Sequence, residues 1–476
     1  MKQLFLFLAL AVTLAACQEK NDQQSMSEPI RFPEMEETQI TFEESGHFIH
    51  TTQQFSPDDQ WIVYDTRNED PHISRTCCIE MVNVASGEIR RLYQTANQTN
   101  FGPGVGGVTF NPREHSVLFI HGLQNCDSLR PYDFSRRTGV RIRTEEPQKP
   151  IFMDGRDVQP PFTPGALRGG THAHTWSADG QWVSFTYNDD VLVELAKTPN
   201  ASVKDLRMVG VMAPLGPVSV AQDDSGENFD GQLFSVVVTE VVEAPEPGSD
   251  QIDRAYEDGW IGDNGYLKTD GSRQKRAIAF LGDVRDDQGQ VLSEVFVVDV
   301  PDDITAAEAG KPIEGTNMTR PMPPAGTTQR RLTFTGKRRH PGVQGPRHWL
   351  RSSPDGSVVF FMMKDEGGIV QIYGVSPNGG EIQQITKNDF SIATSFNVSP
   401  DGKWLCYGSQ ERVFVTEISS GLSKQVSPDP SEKFSALQGI NWSNDGKMIV
   451  YNRKVETGGA AYYQVFLLKP KGSSVD

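Results

Sequence analysis

Val398-Ser-Pro-Asp-Gly-Lys-Trp-Leu-Cys-Tyr407 runs from an apolar strand end through a tight Asp-Gly turn into a strand of alternating apolar residues, which is a hairpin signature. The pattern returns at Phe55–Tyr64, Trp176–Phe185, Ser353–Phe361 and Trp442–Tyr451, with a degenerate copy at Phe110–Phe119. A third strand follows (Ile79–Val84, Ile369–Val375, Val413–Ile418, Tyr463–Leu468), often with a fourth that ends like Arg331-Leu-Thr-Phe334 or Gln384-Ile-Thr386. Four strands per unit at a period of about 45 residues describe a β-propeller blade. Blades are expected near 43–95, 101–150, 170–215, 275–335, 343–387, 390–427 and 433–470. The chain is therefore read as an all-β, seven-bladed propeller of four-stranded blades. Thr38-Gln-Ile-Thr-Phe42 copies the fourth-strand sequence ahead of the first blade and would close the ring as the outer strand of the last, leaving no open sheet edge there. Residues 216–274 are longer than a blade needs and read as an insertion or a distorted blade.

Composition agrees. Of 476 residues, 44 are Gly and 30 Pro, which argues against a helical solenoid or coiled coil. The formal charge of -17 argues against general nucleic-acid binding, which needs a basic footprint to displace counterions from phosphates.

Residues 1–16 carry one Lys and an apolar stretch from Leu4 to Ala16, followed by Cys17. The stretch is too short to span a membrane and polar residues follow it at once, so it reads as an export signal. Leu14-Ala15-Ala16-Cys17 resembles a bacterial lipobox, which implies lipidation of Cys17. With Gln18 next, the resemblance implies an outer-membrane lipoprotein of the bacterial cell envelope, periplasmic or surface-exposed and held by its lipid alone. Residues 17–35 would be the tether and 36–476 the propeller, expected as a monomer. Four further cysteines are too few for a disulfide framework. Cys77 or Cys78 bridged to Cys126, or buried thiols, are both open readings.

The Ser-Pro-Asp-Gly turns resemble TolB-type propellers. Phe119-Ile-His-Gly122, Arg130-Pro-Tyr-Asp-Phe134, Pro161-Phe-Thr-Pro-Gly-Ala-Leu-Arg-Gly-Gly-Thr-His-Ala-His174, Phe185-Thr-Tyr-Asn-Asp189, Pro247–Ile252 and Asp258-Gly-Trp-Ile-Gly262 are similar to the bacterial propeller family catalogued as domain of unknown function 3748. The architecture also resembles the exported oligogalacturonate and ulvan lyases.

Propeller topology sorts residues by face. Asp-Gly turns join inner to second strands on one face, so residues leading into inner strands and residues ending second strands meet on the other. Seven of nine histidines, His47, His50, His121, His172, His174, His340 and His348, map to that rim or its approach. His172 and His174, two apart on a strand, would project to one side. With His340, Gln344 or His348 across the channel they could complete a divalent-metal site (Zn, Mn or Ca), as the oligogalacturonate-lyase resemblance implies. From Gly315 to Pro354 there is no Asp or Glu but eight Lys and Arg, a basic island suited to carboxylate or sulfate groups.

These features point to a polysaccharide lyase that cleaves an anionic, uronate-containing and ulvan-like polymer by β-elimination. That reaction needs a cation for the carboxylate, a base for the C5 proton and an acid for the leaving oxygen. The candidates are His172 or His174 as base with His121 in reserve, and Tyr187 or Tyr256 as acid. Arg168, Arg273, Arg339 or Arg347 would neutralise, with Asn188 and Arg67 as further substrate contacts. The alternative is a non-catalytic TolB-like propeller that binds an envelope protein or glycan.

Overall fold

The repeated turn, Ser-x-Asp-Gly in four blades and Ser56-Pro-Asp-Asp59 in the first, closes on its own side chains. In each of five blades the Ser hydroxyl donates to the Asp two residues on and accepts from the backbone N–H five residues on: Ser56, Ser177, Ser353, Ser399 and Ser443 accept from Trp61, Trp182, Val358, Trp404 and Met448 at 2.9–3.1 Å. The same Asp accepts from the N–H two residues further along, as Asp401 does from Lys403. The residue after it must be left-handed, which places Gly180, Gly356, Gly402 and Gly446 at φ of 70–74°.

The structure, a computed structural model, describes residues 30–472 apart from 51, 200, 223 and 431–433. The export signal at 1–16 and Cys17 lie outside the described residues. The chain forms a seven-bladed propeller, each blade an antiparallel sheet around the central channel. Blade one pairs Trp61–Asp65, Cys78–Asn83 and Ile89–Gln94, with its inner edge made by the bridges Phe48 to Asp65 and Phe55 to Ile62. Blades two, three, four, five and six begin with inner strands Val105–Phe110, Gly169–Trp176, Ala255–Trp260, Arg351–Ser352 and Phe396–Val398. Blade seven consists of Phe434–Trp442, Ile449–Thr457 and Ala460–Pro470, and Met35–Gln39 adds its outer strand, with Met35 opposite Pro470 and Gln39 opposite Phe466. The closing strand thus starts three residues ahead of the expected Thr38, and its register carries on into Ile40, which donates to the Val465 carbonyl at 2.9 Å.

Apolar side chains fill the wedges between blades. Val63, Ile79 and Met81 of blade one pack with Phe110, Phe119 and Val140 of blade two. Phe360 and Ile372 of blade five pack likewise with Leu405 and Tyr407 of blade six. The stretch 216–274 supplies two blade strands, the outer strand of blade three at Phe234–Val237 and the inner strand of blade four at Ala255–Trp260. Blade four joins its inner to its second strand through an excursion that carries the short hairpin Tyr266–Leu267 with Arg273–Gln274, so no Asp-Gly signal marks it.

Cys77 and Cys78 form a disulfide with each other. Cys126 and Cys406 are buried free thiols, so neither proposed pairing with Cys126 is present.

Candidate functional site

Inner strands run from one face of the ring toward the Asp-Gly turns on the other. At the starting face the channel opens into a cavity of 650 Å³. Its form comes from a shared irregularity. In blades two, three, four and seven the inner strand carries a β-bulge directly after Gly106, His172, Tyr256 and Gln438. The next residue in each case is left-handed: Gly107, Ala173, Glu257 and Gly439, at φ of 64°, 54°, 55° and 67°. Ala173 and Glu257 hold this conformation against the steric penalty that a Cβ brings, a kind of strain that concentrates at functional sites. His172 and Tyr256 therefore occupy equivalent positions in neighbouring blades, and both line the cavity. Two residues on, His174 and Asp258 are also equivalent and are fully buried. The bulge breaks the alternation, so His172 and His174 do not share a face.

The wall is strongly cationic. Arg67, Arg137, Arg207, Arg254 and Arg347 line it, against the carboxylates of Asp70 and Glu257. Arg67 is tied down by Asp65 through two bonds of 2.7 and 2.9 Å and by the Asp70 carbonyl at 2.8 Å. Arg347 pairs with Glu257 at 3.2 Å and Asp70 at 3.5 Å and stacks on Trp349. Arg254 lies 3.9 Å from Asp283 and over the Tyr256 ring. Among the described residues the other two arginines have no ion pair. Arg137, 3 % exposed, gives Nη1 to the Tyr132 hydroxyl at 3.0 Å, while its Nε and Nη2 are buried without a partner. Arg207 donates from Nε to the Asn188 side-chain Oδ1 at 3.3 Å, and burial together with Arg254, Arg137 and Arg347 pulls its pKa down to about 10. Both guanidinium groups lie against Phe134, 4.7 Å and 5.1 Å from its ring centroid. Phe134 in turn faces the His172 ring at 6.3 Å.

His172 is held neutral: burial, then Arg137, Arg207 and Arg347, push its pKa well below the usual imidazole range. Its Nδ1 is buried without a partner. Tyr256 donates to Asp283 at 2.9 Å and shares a 2.7 Å hydrogen bond with Ser293, and burial and Asp283 raise its pKa.

The other expected residues fall elsewhere. His174 packs behind the wall, with Nε2 3.0 Å from the Thr171 hydroxyl, and burial takes its pKa down to about 3. His121 is enclosed between the Tyr93 hydroxyl at 3.0 Å and the Gly122 carbonyl. Tyr187 and Arg168 both bond the buried Asp189, at 3.1 and 2.6 Å, and Arg168 also holds the Thr316 and Thr319 carbonyls, so this trio anchors a loop. Asn188 is a positioning residue for Arg207, itself fixed by Asp205 at 2.7 Å. Arg273 donates to the Asn264 carbonyl in a hairpin that packs on the Gly356 turn, on the opposite face. Arg339 is exposed and reaches the Glu366 carbonyl at 3.2 Å.

The expected metal ligands do not converge. His348 lines the cavity, but its Nδ1 bonds the Pro346 carbonyl at 2.9 Å and its Nε2 accepts the Met362 N–H at 3.2 Å, so both ring nitrogens are occupied. His340 stands by Gly368, outside the wall, and His174 lies behind it. Gln344 is in the wall and bonds the Pro341 carbonyl. Among the described residues no group of three or more His, Cys, Asp or Glu is placed to hold a metal ion.

Of the basic island only Arg347 reaches the cavity. Arg320, Arg330 and Arg331 are paired with Glu243, Asp299 and Glu294 from other parts of the chain. The wall arginines missed from sequence are Arg254, just before the inner strand Ala255–Trp260, and Arg137 and Arg207, at the starts of the third strands Arg137–Arg143 and Met208–Ala213. Third strands begin on the same face on which second strands end, and that topological rule would have found the last two.

Residues 104–228 match the family described as Protein of unknown function (DUF3748), a span that holds Arg137, His172 and Arg207. The fold is similar to that of an oligogalacturonate lyase from Vibrio parahaemolyticus, with a TM-score of 0.53 at 9% identity over 92% of this chain and 94% of that one. It is likewise similar to an oligogalacturonate lyase in complex with manganese, with a TM-score of 0.51 at 12% identity over 92% and 93% of the two chains. At such identities the likeness concerns the fold. The uncharacterized protein YidR of Escherichia coli (strain K12) is 38% identical over 429 residues, 90% of this chain and 97% of its own length, and the chain thus belongs to the DUF3748 family.

Proposed function

We propose that the protein is a polysaccharide lyase that cleaves a uronate-containing polymer by β-elimination in the cavity at the channel mouth. The observation that carries this reading is the clustering, in a chain of charge -17, of five arginines around a neutral histidine. A cationic wall favours the carboxylate and stabilises the negative charge that develops at C5 as its proton leaves. His172 is the base: burial and the neighbouring arginines keep its imidazole neutral, so a ring nitrogen has a lone pair for the C5 proton. The electron pair of that C–H bond forms the C4–C5 double bond as the C4–O bond breaks. Tyr256, kept protonated by burial and Asp283, gives its proton to the departing oxygen. Arg347 serves as a substrate contact at the rim.

The similar lyase in complex with manganese binds a metal. Here the donor set does not fit one, and no step is routed through a metal. The leader and Cys17 support an outer-membrane lipoprotein, a sensible station for cutting polymers too large to import.

The test is absorbance near 235 nm, from the unsaturated uronate, with ulvan, polygalacturonate and alginate as substrates. Product formation that His172→Ala abolishes is the expected result. Flat traces with saturable polymer binding would replace the lyase with a binding propeller, and unchanged activity in His172→Ala would overturn the assignment of the base.

A further inference from the structure

The Nε–H and Nη2–H of Arg137 lie on one edge of a planar guanidinium and point the same way. That edge is the fork that grips a carboxylate through two parallel hydrogen bonds. Here it is buried and has no partner. A buried polar group left unpaired is costly, more so when charged, and each one calls for an explanation, of which a bound partner is one. Three neighbours share the vacancy. Arg207, which feels Asp205 but makes no ion pair among the described residues, lies on the same aromatic ring as Arg137. His172, whose buried Nδ1 has no partner among the described residues, lines the same cavity and faces Phe134. Phe134, 52% exposed, offers its free side to solvent at the mouth.

We propose that Arg137 and Arg207 form a subsite for the carboxylate of an acidic pyranose, with Phe134 as the apolar platform for the sugar ring. The planar fork of Arg137 takes both carboxylate oxygens, and Arg207 supplies the second positive charge. Asn188 and Tyr132 are positioning residues that hold the two guanidinium groups by one bond each. Phe134 covers the fork from solvent, and a carboxylate reaches it as that half-exposed ring turns outward. The fork discriminates by shape: two coplanar oxygens fit it, while a neutral hydroxymethyl group leaves the charge unanswered. This inference rests on the lyase reading for the polymer class, and its test uses binding alone.

Calorimetric titration of the purified protein with methyl glucuronide and methyl galacturonide, against the corresponding methyl glucoside and galactoside, measures the subsite directly, since none of these monosaccharides is a chain to be cut. At least one uronide is expected to bind at least tenfold more tightly than its neutral partner. Arg137→Gln should remove about 100-fold of the uronide affinity and Arg137→Lys about tenfold, because the ammonium keeps the charge but loses the fork. Arg137→Gln should melt at or above the wild-type temperature, since it removes a buried charge that has no counter-ion. Competition by inorganic sulfate should change by less than about twofold in Arg137→Lys, because a tetrahedral anion does not need the coplanar fork. Equal affinity for acidic and neutral glycosides, or wild-type uronide binding in Arg137→Gln, would overturn the subsite. Selective uronide binding without product at 235 nm would instead retire the lyase reading and leave the subsite standing.

Discussion

Removing one carboxylate at the ring closure should destabilise the whole propeller. Glu37, on the strand that completes blade seven, accepts from Arg453 Nε at 3.0 Å and Nη2 at 2.9 Å, and also from the Tyr451 hydroxyl. The pair is enclosed, with side-chain exposures of 2% for Arg453 and 10% for Glu37. In Glu37→Ala, Arg453 keeps only the Glu411 carbonyl at 2.7 Å, and a guanidinium remains buried without a counter-charge. Breaking a buried pair from one side typically costs about 3–5 kcal/mol, and two charged hydrogen bonds at about 1.5–3 kcal/mol each give a similar figure. Urea unfolding followed by tryptophan fluorescence reads the loss as a lower midpoint at constant slope. Replacing both partners, Glu37→Leu with Arg453→Met, should return stability to within about 1 kcal/mol of wild type, because no charge is then stranded. A loss below about 1 kcal/mol in Glu37→Ala, or a double variant as weak as the single one, would refute the reasoning.

Gly402→Ala places a Cβ in a left-handed turn at φ 70° and within 2.9 Å of Pro354, and should cost about 1 kcal/mol or more by the same unfolding assay. His348 has its pKa lowered by burial to about 4 against about 6.5 in an unfolded chain, so the unfolded state takes the proton first as pH falls. Its contribution is complete above about pH 6.5 and is lost as pH falls toward 4; His348→Gln should therefore flatten the fall of stability across that window, and an unchanged slope would remove His348 as a cause. Peptide mapping of unreduced protein after alkylation should return Cys77 and Cys78 joined within one peptide and Cys126 in none of the linked species; a Cys78 to Cys126 peptide would contradict the fold.

The propeller was legible because its signals are local. Each of these Ser-x-Asp turns is complete within a few residues and needs no tertiary partner, so five blades declare themselves. Blade four does not, since its inner and second strands are separated by the hairpin at 266–274, and the eye passes over Ala255–Trp260. The face of the site was legible for the same topological reason, and His172, Tyr256, Gln344, Arg347, His348 and Arg67 all reach its wall. The chemistry on that face was less so. A basic run along the chain says nothing about where acids from other blades will stand, and Arg320, Arg330 and Arg331 find theirs at Glu243, Asp299 and Glu294. Conversely, the face of Arg137 and Arg207 follows from topology, but that neither finds an ion pair shows only once the ring has brought two third strands side by side. His172 and His174 were misjudged as a pair because a bulge leaves no mark in a sequence when the residue it strains is alanine.

Those bulges also separate two halves of each inner strand. Below the bulge, residues follow the pleat dictated by the hairpin; above it, odd and even exchange roles, so the residues offered to the mouth are out of phase with the rest of the blade. Gain or loss of a single residue at Gly107, Ala173 or Glu257 would therefore swap which side chain faces the cavity, while the Asp-Gly turns lie on the other face of the ring. A propeller built this way has three separate dials at its mouth, one in each of three neighbouring blades.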